Sequence, residues 1–147
     1  MLEEKRMAEL ESKPLNWDAD PEIGYSVFRR ADGGMQYTFT DVSKKTLEHW
    51  RVFALDHLLD ADRLTRNLYD NRQIDELTPA AAKYAIELNS DPSTRNIRLA
   101  VVVRDQAMAA EIHKIEALTT PGGVEMAVFT DLQEAERWLD RPLELLV

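Results

Sequence analysis

The pattern of apolar and polar residues along the chain predicts strands that alternate with helices. The clearest strand lies within residues 96–105, where Leu99, Ala100 and three valines form an unbroken apolar run with charged residues at both ends. Its β-branched content is typical of a strand buried on both faces in a parallel sheet. Asp105 follows as a favourable helix start, so this region predicts a strand-to-helix unit.

Two strands are predicted before the longest helix. Residues 23–30 and 35–40 are joined by Asp32-Gly33-Gly34, which supplies the positive φ angles of a tight hairpin turn. Apolar and polar residues alternate in these strands, which indicates a half-exposed edge of the sheet. A helix is predicted from Ser43 to about residue 61, with Ser43 or Asp41 as its N-cap. Its sheet-facing stripe comprises Leu47, Trp50, Ala54, Leu58 and Ala61.

The rest of the chain continues the alternation. A short strand over residues 67–72 leads to a helix that begins at Thr78-Pro79, an N-cap followed by a proline in the first turn, and ends near residue 89. Helices are also predicted over residues 106–118 and 132–139, with a strand over residues 124–129 between them. The order β-β-α-β-α-β-α-β-α predicts an α/β fold with a mixed, mostly parallel five-stranded sheet and helices on its faces.

Length and composition indicate one domain preceded by an arm. The 147 residues are 44% hydrophobic, which is enough for one well-buried core and too little for two ordinary domains. We expect residues 1–22 to form a mobile arm or a short helix, and residues 23–147 to form the domain. The formal net charge of -9 opposes sequence-independent binding to nucleic acid or to anionic lipid.

Cysteine and histidine usage limits the chemistry that is available. The chain contains no cysteine, which excludes disulfides, thiol catalysis and thiolate metal sites. His49 and His57 are far apart along one predicted helix and His113 lies on another, so the histidines do not predict a metal site. We expect no cofactor. Because no apolar leader and no long apolar segment is present, we expect a cytoplasmic protein without an integral membrane segment.

Three passages carry a recognisable family pattern. They are residues 68–81, the strand over residues 98–104 with its following helix, and residues 128–139, which read V-F-x-D-x-x-E-A-x-x-W-L. Together with the hairpin, they resemble the STAS domain, named for sulphate transporters and anti-anti-sigma factors, and above all its SpoIIAA-like branch. Domains of this superfamily are generally not enzymes and bind protein partners. The SpoIIAA-like branch has also been likened to lipid-carrying CRAL-TRIO domains, so the resemblance implies a non-catalytic binding domain.

The start of the helix after the third strand departs from this family. Anti-anti-sigma factors carry a phosphorylatable serine there in an Asp-Ser-x-Gly motif, whereas residues 74–79 read I-D-E-L-T-P. The kinase-switched mechanism therefore does not carry over to this chain. Thr78 is the hydroxyl nearest the expected place, and we expect it to be an N-cap. The alternative is a phosphoacceptor, whose added charge Asp75 and Glu76 would oppose.

Polar residues gather at the carboxyl ends of the predicted strands, where open parallel sheets bind their ligands. Asp41, Asp105 and Asp131 stand where helices begin, so we expect them to cap helices rather than to hold a metal ion. Residues 70–72, read D-N-R, lie in a loop and need another explanation. Either they form a turn, or Asp70 pairs with Arg104, or these residues contact a ligand or partner.

The longest helix has more apolar surface than packing on a sheet requires. Val52, Leu55 and Leu59 form a second stripe beside the first. We expect this stripe to contact a neighbouring helix; the alternatives are a homodimer surface or one wall of a cleft for an apolar ligand. The apolar tail over residues 143–147 could likewise pack on the domain or on a second subunit. Companions of the cleft would be Trp50, Phe53, Ala80 and Ala81.

Three hypotheses of function follow. The first is a regulatory protein-interaction module that meets its partner through residues 70–72, Lys83 and Tyr84. The second is a carrier or sensor of a small apolar or lipid-like ligand, held in a cleft beside the long helix. The third, set last, is a metal-dependent enzyme that uses the carboxylates. The residues expected to bind a ligand or partner are Trp50, Phe53, Asp70, Asn71, Arg72, Thr78, Tyr84 and Arg104.

Overall fold

A computed structural model describes residues 20–58, 65–91, 97–119 and 124–142, without the side chains of residues 55–58. Helices and strands follow one another in the predicted order. The strands are β1 (Tyr25–Arg29), β2 (Met35–Phe39), β3 (Thr65–Asp70), β4 (Ile97–Val102) and β5 (Val124–Phe129). The helices are α1 (Lys44–Leu58), α2 (Pro79–Ser90), α3 (Gln106–Leu118) and α4 (Leu132–Leu139).

The strands form one mixed sheet in the order β1-β2-β3-β4-β5. β1 pairs antiparallel with β2, where Val27 lies opposite Tyr37. β2 to β5 run parallel, and Tyr37, Tyr69 and Val101 lie side by side across three of them. Every residue of β4 is buried, as the apolar run predicts. The mixed, mostly parallel five-stranded sheet is confirmed.

The helices divide unequally between the two faces of the sheet. α1, α2 and α3 each connect neighbouring parallel strands, and right-handed crossovers between strands in sequential order place all three on the same face. Their inward residues pack with Tyr37, Leu99 and Val101 in the larger of two core clusters. α4 follows the last strand and packs on the opposite face, where Ala135 and Leu139 contact the smaller cluster.

An arginine with a largely covered side chain links the hairpin to α4. The guanidinium of Arg30, directly after β1, donates two hydrogen bonds to the carboxylate of Glu136, of 3.0 and 2.6 Å. It also donates to Asp32 in the turn and to Gln36 in β2. The antiparallel edge of the sheet is therefore fixed to the helix on its less covered face.

The predicted sheet-facing stripe of the longest helix is confirmed for the residues whose side chains are described. Leu47, Trp50 and Ala54 are all buried against the sheet. Val52 from the second stripe is 61% exposed, so the expectation that it contacts a neighbouring helix is wrong. Its position on α1 points it away from the packed side of the helix. The other members of both stripes lie outside the described side chains: Leu55, Leu58, Leu59 and Ala61.

The two ends of the chain are only partly described. Most of the predicted arm, residues 1–19, and the apolar tail over residues 143–147 lie outside the described residues. Among the residues that are described, no helix combines the length and the apolar character that crossing a bilayer would require.

Candidate ligand-binding cavity

A cavity of ≈ 70 Å³ lies between the sheet and α2, on the face of the sheet that carries three helices. Its walls are mostly apolar and it is partly open to solvent. The sheet contributes Phe39, Tyr69, Leu99, Val101 and Met126 to its floor. The remaining walls come from the helices and loops: Val42, Leu47, Trp50, Asn71, Leu77, Ala81, Ala85, Asn89, Ile112 and Ile115.

The space exists because α2 presents small side chains to the sheet. Ala81 and Ala85 are four residues apart, so they lie on the same face of the helix, and Asn89 follows one turn later. The flanking helices fill the corresponding space with large side chains, such as Trp50 on α1 and Ile112 on α3. Two alanines between bulky neighbours leave a gap under the middle helix.

One wall of the cavity belongs to a cluster of aromatic rings. The Trp50 indole stands nearly perpendicular to the rings of Phe39 and Tyr69, with centroid distances of 5.9 Å to each. Tyr69 in turn contacts Tyr37 at 4.7 Å. Edge-to-face pairs of this kind hold rings in defined orientations. The wall is therefore fixed, in contrast to the alanine side of the cavity.

Two buried polar atoms in the lining have no hydrogen-bond partner among the described residues. They are the indole Nε1 of Trp50 and the side-chain Oδ1 of Asn71. Trp50 is 4% exposed. The Asn71 backbone is held in place, because its N–H donates to the carbonyl of Val102 at 2.8 Å. Since buried polar atoms are nearly always paired, these two atoms single out this cavity.

The cavity is uncharged. None of the described residues that line it is Asp, Glu, Lys, Arg or His. Burial raises the pKa of the Tyr69 hydroxyl well above its usual value, and the nearby Trp50 indole opposes this rise only in part. The cavity therefore offers apolar surface and a few neutral polar side chains.

A separate polar groove of ≈ 340 Å³ lies at the carboxyl edge of the sheet. It runs between the loop before α2 and the first turn of α3. Leu77 belongs to the lining of both spaces, so this side chain lies between the groove and the cavity. The polar residues of the groove are Asp75, Glu76, Arg104, Asp105 and Glu111.

Asp105 and Asp131 at this edge cap helices, as the sequence predicts. Asp105 accepts a hydrogen bond from the backbone N–H of Met108 at 2.8 Å and caps α3. Asp131 caps α4 in the same way. Thr78 is the N-cap of α2, where its hydroxyl oxygen accepts from the Ala81 N–H. Within the residues that the structure describes, no three His, Cys, Asp or Glu side chains form a group that could hold a metal ion.

Comparisons with known proteins support the fold. No family model matches the sequence, and no curated protein matches it significantly. A solved structure does: the crystal structure of an uncharacterised protein of the DUF3478 family, with a SpoIIAA-like fold, from Shewanella loihica PV-4. The two chains share 18% sequence identity and a TM-score of 0.60, over 84% of this chain and 99% of that chain. The chain has a SpoIIAA-like fold. The predicted resemblance is therefore confirmed for the fold.

Of the alternatives for residues 70–72, the structure shows the turn and not the pairing of Asp70 with Arg104. The Arg72 guanidinium instead donates to both carboxylate oxygens of Asp70, at 2.9 and 2.8 Å. These hydrogen bonds, with one from the Arg72 backbone N–H, hold the pKa of Asp70 below its usual value against the effect of partial burial. Arg104 lies near Asp105 at 3.8 Å. Asp70 therefore pairs with Arg72 in the same turn rather than with Arg104 at the end of the neighbouring strand.

The predicted binding residues divide between the cavity, the groove and the core. Trp50 and Asn71 line the cavity, and Arg104 lines the groove. Phe53 lies in the core instead, where its ring packs against Tyr25 and Tyr37. Tyr84 is half-buried on α2 beneath the guanidinium of Arg51.

The sequence does not single out several of the lining residues. Tyr69, Leu77 and Asn89 line the cavity without any pattern that distinguishes them from core or loop residues. The one usable signal is the alanine-rich start of α2, which indicates either a close approach to the sheet or space beneath the helix.

Proposed function

We propose that this protein is a non-catalytic, STAS-type binding domain that takes up a small, mainly apolar molecule between its sheet and α2. The observation that carries the proposal is the cavity beneath Ala81 and Ala85. The proposal favours the carrier or sensor hypothesis over the protein-interaction module. The expected cytoplasmic location stays a prediction from the sequence.

The apolar lining of this space supports a use for it. Apolar side chains that border a partly open space lack packing partners on that side, and an apolar molecule of matching shape would supply them. One larger side chain on α2 would fill the same space.

The lining also supports a role in binding rather than catalysis. Catalysis of acyl, phosphoryl or proton transfer calls for a nucleophile, an acid or a base within reach of the substrate. The described lining holds no serine, threonine, lysine, histidine or carboxylate. Its one ionisable group is the Tyr69 hydroxyl, whose pKa burial raises.

A cavity-filling variant tests the proposal. Ala85→Leu places three extra carbon atoms in the space, whereas Ala80→Leu adds the same atoms to the exposed side of α2. Each protein is purified from its own host and denatured, and the released small molecules are identified by mass spectrometry. We expect one compound from the wild type and from Ala80→Leu, and none from Ala85→Leu. Release of no compound from the wild type, or equal release from all three proteins, would contradict the proposal.

A protein partner at the outer surface of α2 is the second candidate. Lys83 is exposed there, and Tyr84 is half-buried with the guanidinium of Arg51 above its ring. A partner that docks here could respond to what lies beneath the helix. Affinity capture from the host with the wild type, Lys83→Glu and Tyr84→Ala tests this role. A protein captured by the wild type and lost in both variants, with unchanged melting temperatures, is the expected result. Equal capture by all three proteins would remove the candidate.

A further inference from the structure

The polar groove adjoins the cavity along two elements of the fold. Leu77 lines both spaces, and Asp75 and Glu76 precede it directly, so their Cα atoms lie within about 8 Å of the Leu77 Cα. On α3, Met108 lines the groove and Ile112 lines the cavity. These two residues are four positions apart, on one face of the helix and about 6 Å apart along its axis. A molecule that leaves the cavity beside Leu77 therefore enters the groove.

The charge of the groove contrasts with the uncharged cavity. Among the described residues, its lining holds four carboxylates and one guanidinium. The guanidinium, that of Arg104, lies 3.8 Å from Asp105, and Glu111 pairs with a lysine one turn further along α3 at 3.0 Å. Asp75 and Glu76 are exposed and pair with no cation in the part of the chain that the structure describes. The groove therefore carries two uncompensated negative charges beside the cavity.

We propose that the ligand of the cavity is an amphiphilic alkyl amine, whose hydrocarbon chain lies beneath α2 and whose ammonium group lies in the groove beside Asp75 and Glu76. This inference rests on the proposed function and specifies the chemical class of its ligand. The apolar lining takes up the chain, and the two uncompensated carboxylates attract the ammonium group. Because these carboxylates are exposed, the ammonium group keeps much of its hydration beside them.

The same lining disfavours other head groups. A carboxylate would meet like charge from Asp75 and Glu76, and the net charge of -9 opposes its approach. A neutral hydroxyl group would gain no charge attraction in the groove. An ammonium group inside the cavity itself would lose its hydration without a charged partner, since no described residue of that lining is charged. The charge of the ligand therefore belongs in the groove and its chain in the cavity.

The two spaces also set the length of the chain. An engineered cavity of about 150 Å³ holds benzene, which has six carbon atoms, so by that measure ≈ 70 Å³ holds about three. The distance of about 6 Å along α3 from the cavity to the groove corresponds to about five bonds of an extended chain. Octylamine, with eight carbon atoms, therefore represents the class.

Titrations of the wild-type protein with three eight-carbon probes test the head group. The probes are octylammonium, 1-octanol and octanoate, used at pH 7 below the concentrations at which they form micelles. The NMR signal of the Ala85 methyl group reports occupation of the cavity, and its shift against concentration gives each Kd. We expect octylammonium to bind about three- to tenfold more tightly than 1-octanol, the contribution of two exposed ion pairs, and octanoate to bind more weakly than 1-octanol. Added salt should reduce this preference.

A matched pair of variants locates the ammonium group. Asp75→Asn/Glu76→Gln removes the two uncompensated charges, so octylammonium and 1-octanol should bind about equally. Glu87→Gln/Glu134→Gln removes two exposed charges from α2 and α4, outside the groove, and should retain the preference. Loss of the preference in both double variants, or in neither, would overturn the assignment of the groove.

The outcomes separate this inference from the proposed function. If all three probes shift the Ala85 methyl signal with equal Kd, or if octanoate binds most tightly, the inference fails and the proposed function stands. If octylammonium binds Ala85→Leu as tightly as the wild type, it occupies the groove only, which also overturns the inference alone. If neither xenon nor any of the three probes shifts the methyl signal, both proposals fail.

Discussion

The indole of Trp50 meets the phenol of Tyr69 edge-on, with ring centroids 5.9 Å apart and ring planes at 80°. This contact joins the long helix to the middle of the sheet. It also places both side chains in the lining of the cavity, none of whose described residues is charged. The same pair therefore contributes to the core and shapes the candidate site, which links stability to ligand binding.

Alkaline pH should unfold the protein through its buried tyrosines. Burial raises the pKa values of Tyr25, Tyr37 and Tyr69, so the folded state keeps protons that the unfolded state releases above about pH 10. Stability is therefore complete below that pH and is lost as pH rises, by up to about 1.4 kcal/mol per pH unit for each tyrosine.

Urea unfolding between pH 8 and pH 11 measures this loss. Tyr69→Phe removes one of the three groups and should make the decline in unfolding free energy less steep. An identical pH dependence in the wild type and Tyr69→Phe would show that Tyr69 ionises equally in both states.

The two adjacent glycines of the hairpin turn should differ in their response to alanine. Gly33 has a φ of 88° and open space around it. Gly33→Ala should therefore lower the unfolding free energy only by the cost of a left-handed alanine, about 1–2 kcal/mol. A Cβ at Gly34 would overlap the backbone carbonyl of Arg66. We expect Gly34→Ala to lower the unfolding free energy by more than Gly33→Ala, as measured by urea titration. The reverse order would contradict the tight approach of the turn to β3.

The sequence predicts the fold well because the fold depends on local periodicity. The alternation of β1, the apolar run of β4 and the helix starts at Thr78, Asp105 and Asp131 are all local signals, and each is confirmed. The placement of α4 alone on the second face of the sheet is not predicted in this way. It depends on the order of the strands in the sheet, which no local sequence signal encodes.

The candidate site is less predictable because it is a cavity, whose size depends on how the helices pack on the sheet. The alanines of α2 are visible in the sequence, but the distance between α2 and the sheet is set by the large side chains of its neighbours. The ion pairs are also difficult to predict from the sequence, since Asp70 could pair with either Arg72 or Arg104. Asp70 pairs with Arg72 because two residues within one turn lose less conformational entropy when they pair.

Removing Arg72 should raise the pKa of Asp70. The hydrogen bonds from the Arg72 guanidinium hold that pKa below its usual value, and Arg72→Gln removes most of them. Because the folded-state pKa is depressed, the associated stability is present above about pH 4 and is lost as pH falls. Carboxyl ¹³C NMR titrations of both proteins measure the change. An unchanged Asp70 midpoint would mean that the backbone N–H of the turn is sufficient.

The Arg30 and Glu136 side chains should be energetically coupled. Their two hydrogen bonds form a bidentate pair in which the Arg30 side chain is 8% exposed. A double-mutant cycle with Arg30→Gln and Glu136→Gln should give about 1–2 kcal/mol of coupling. The exposed pair of Lys114 and Glu111 is the control and should give less than about 0.5 kcal/mol. Equal coupling in the two pairs would show that burial does not strengthen the hairpin link.

Leu77 should control how quickly a ligand enters and leaves. Its side chain lines both the cavity and the polar groove, so Leu77→Ala should connect the two spaces. We expect faster exchange of a bound apolar probe such as xenon, measured by NMR line shapes, with a stability loss of about 1–2 kcal/mol for this half-buried leucine. Val42→Ala also enlarges the cavity but does not border the groove, so it should leave exchange unchanged. If both variants accelerate exchange equally, cavity volume controls the rate; if neither does, the ligand enters elsewhere.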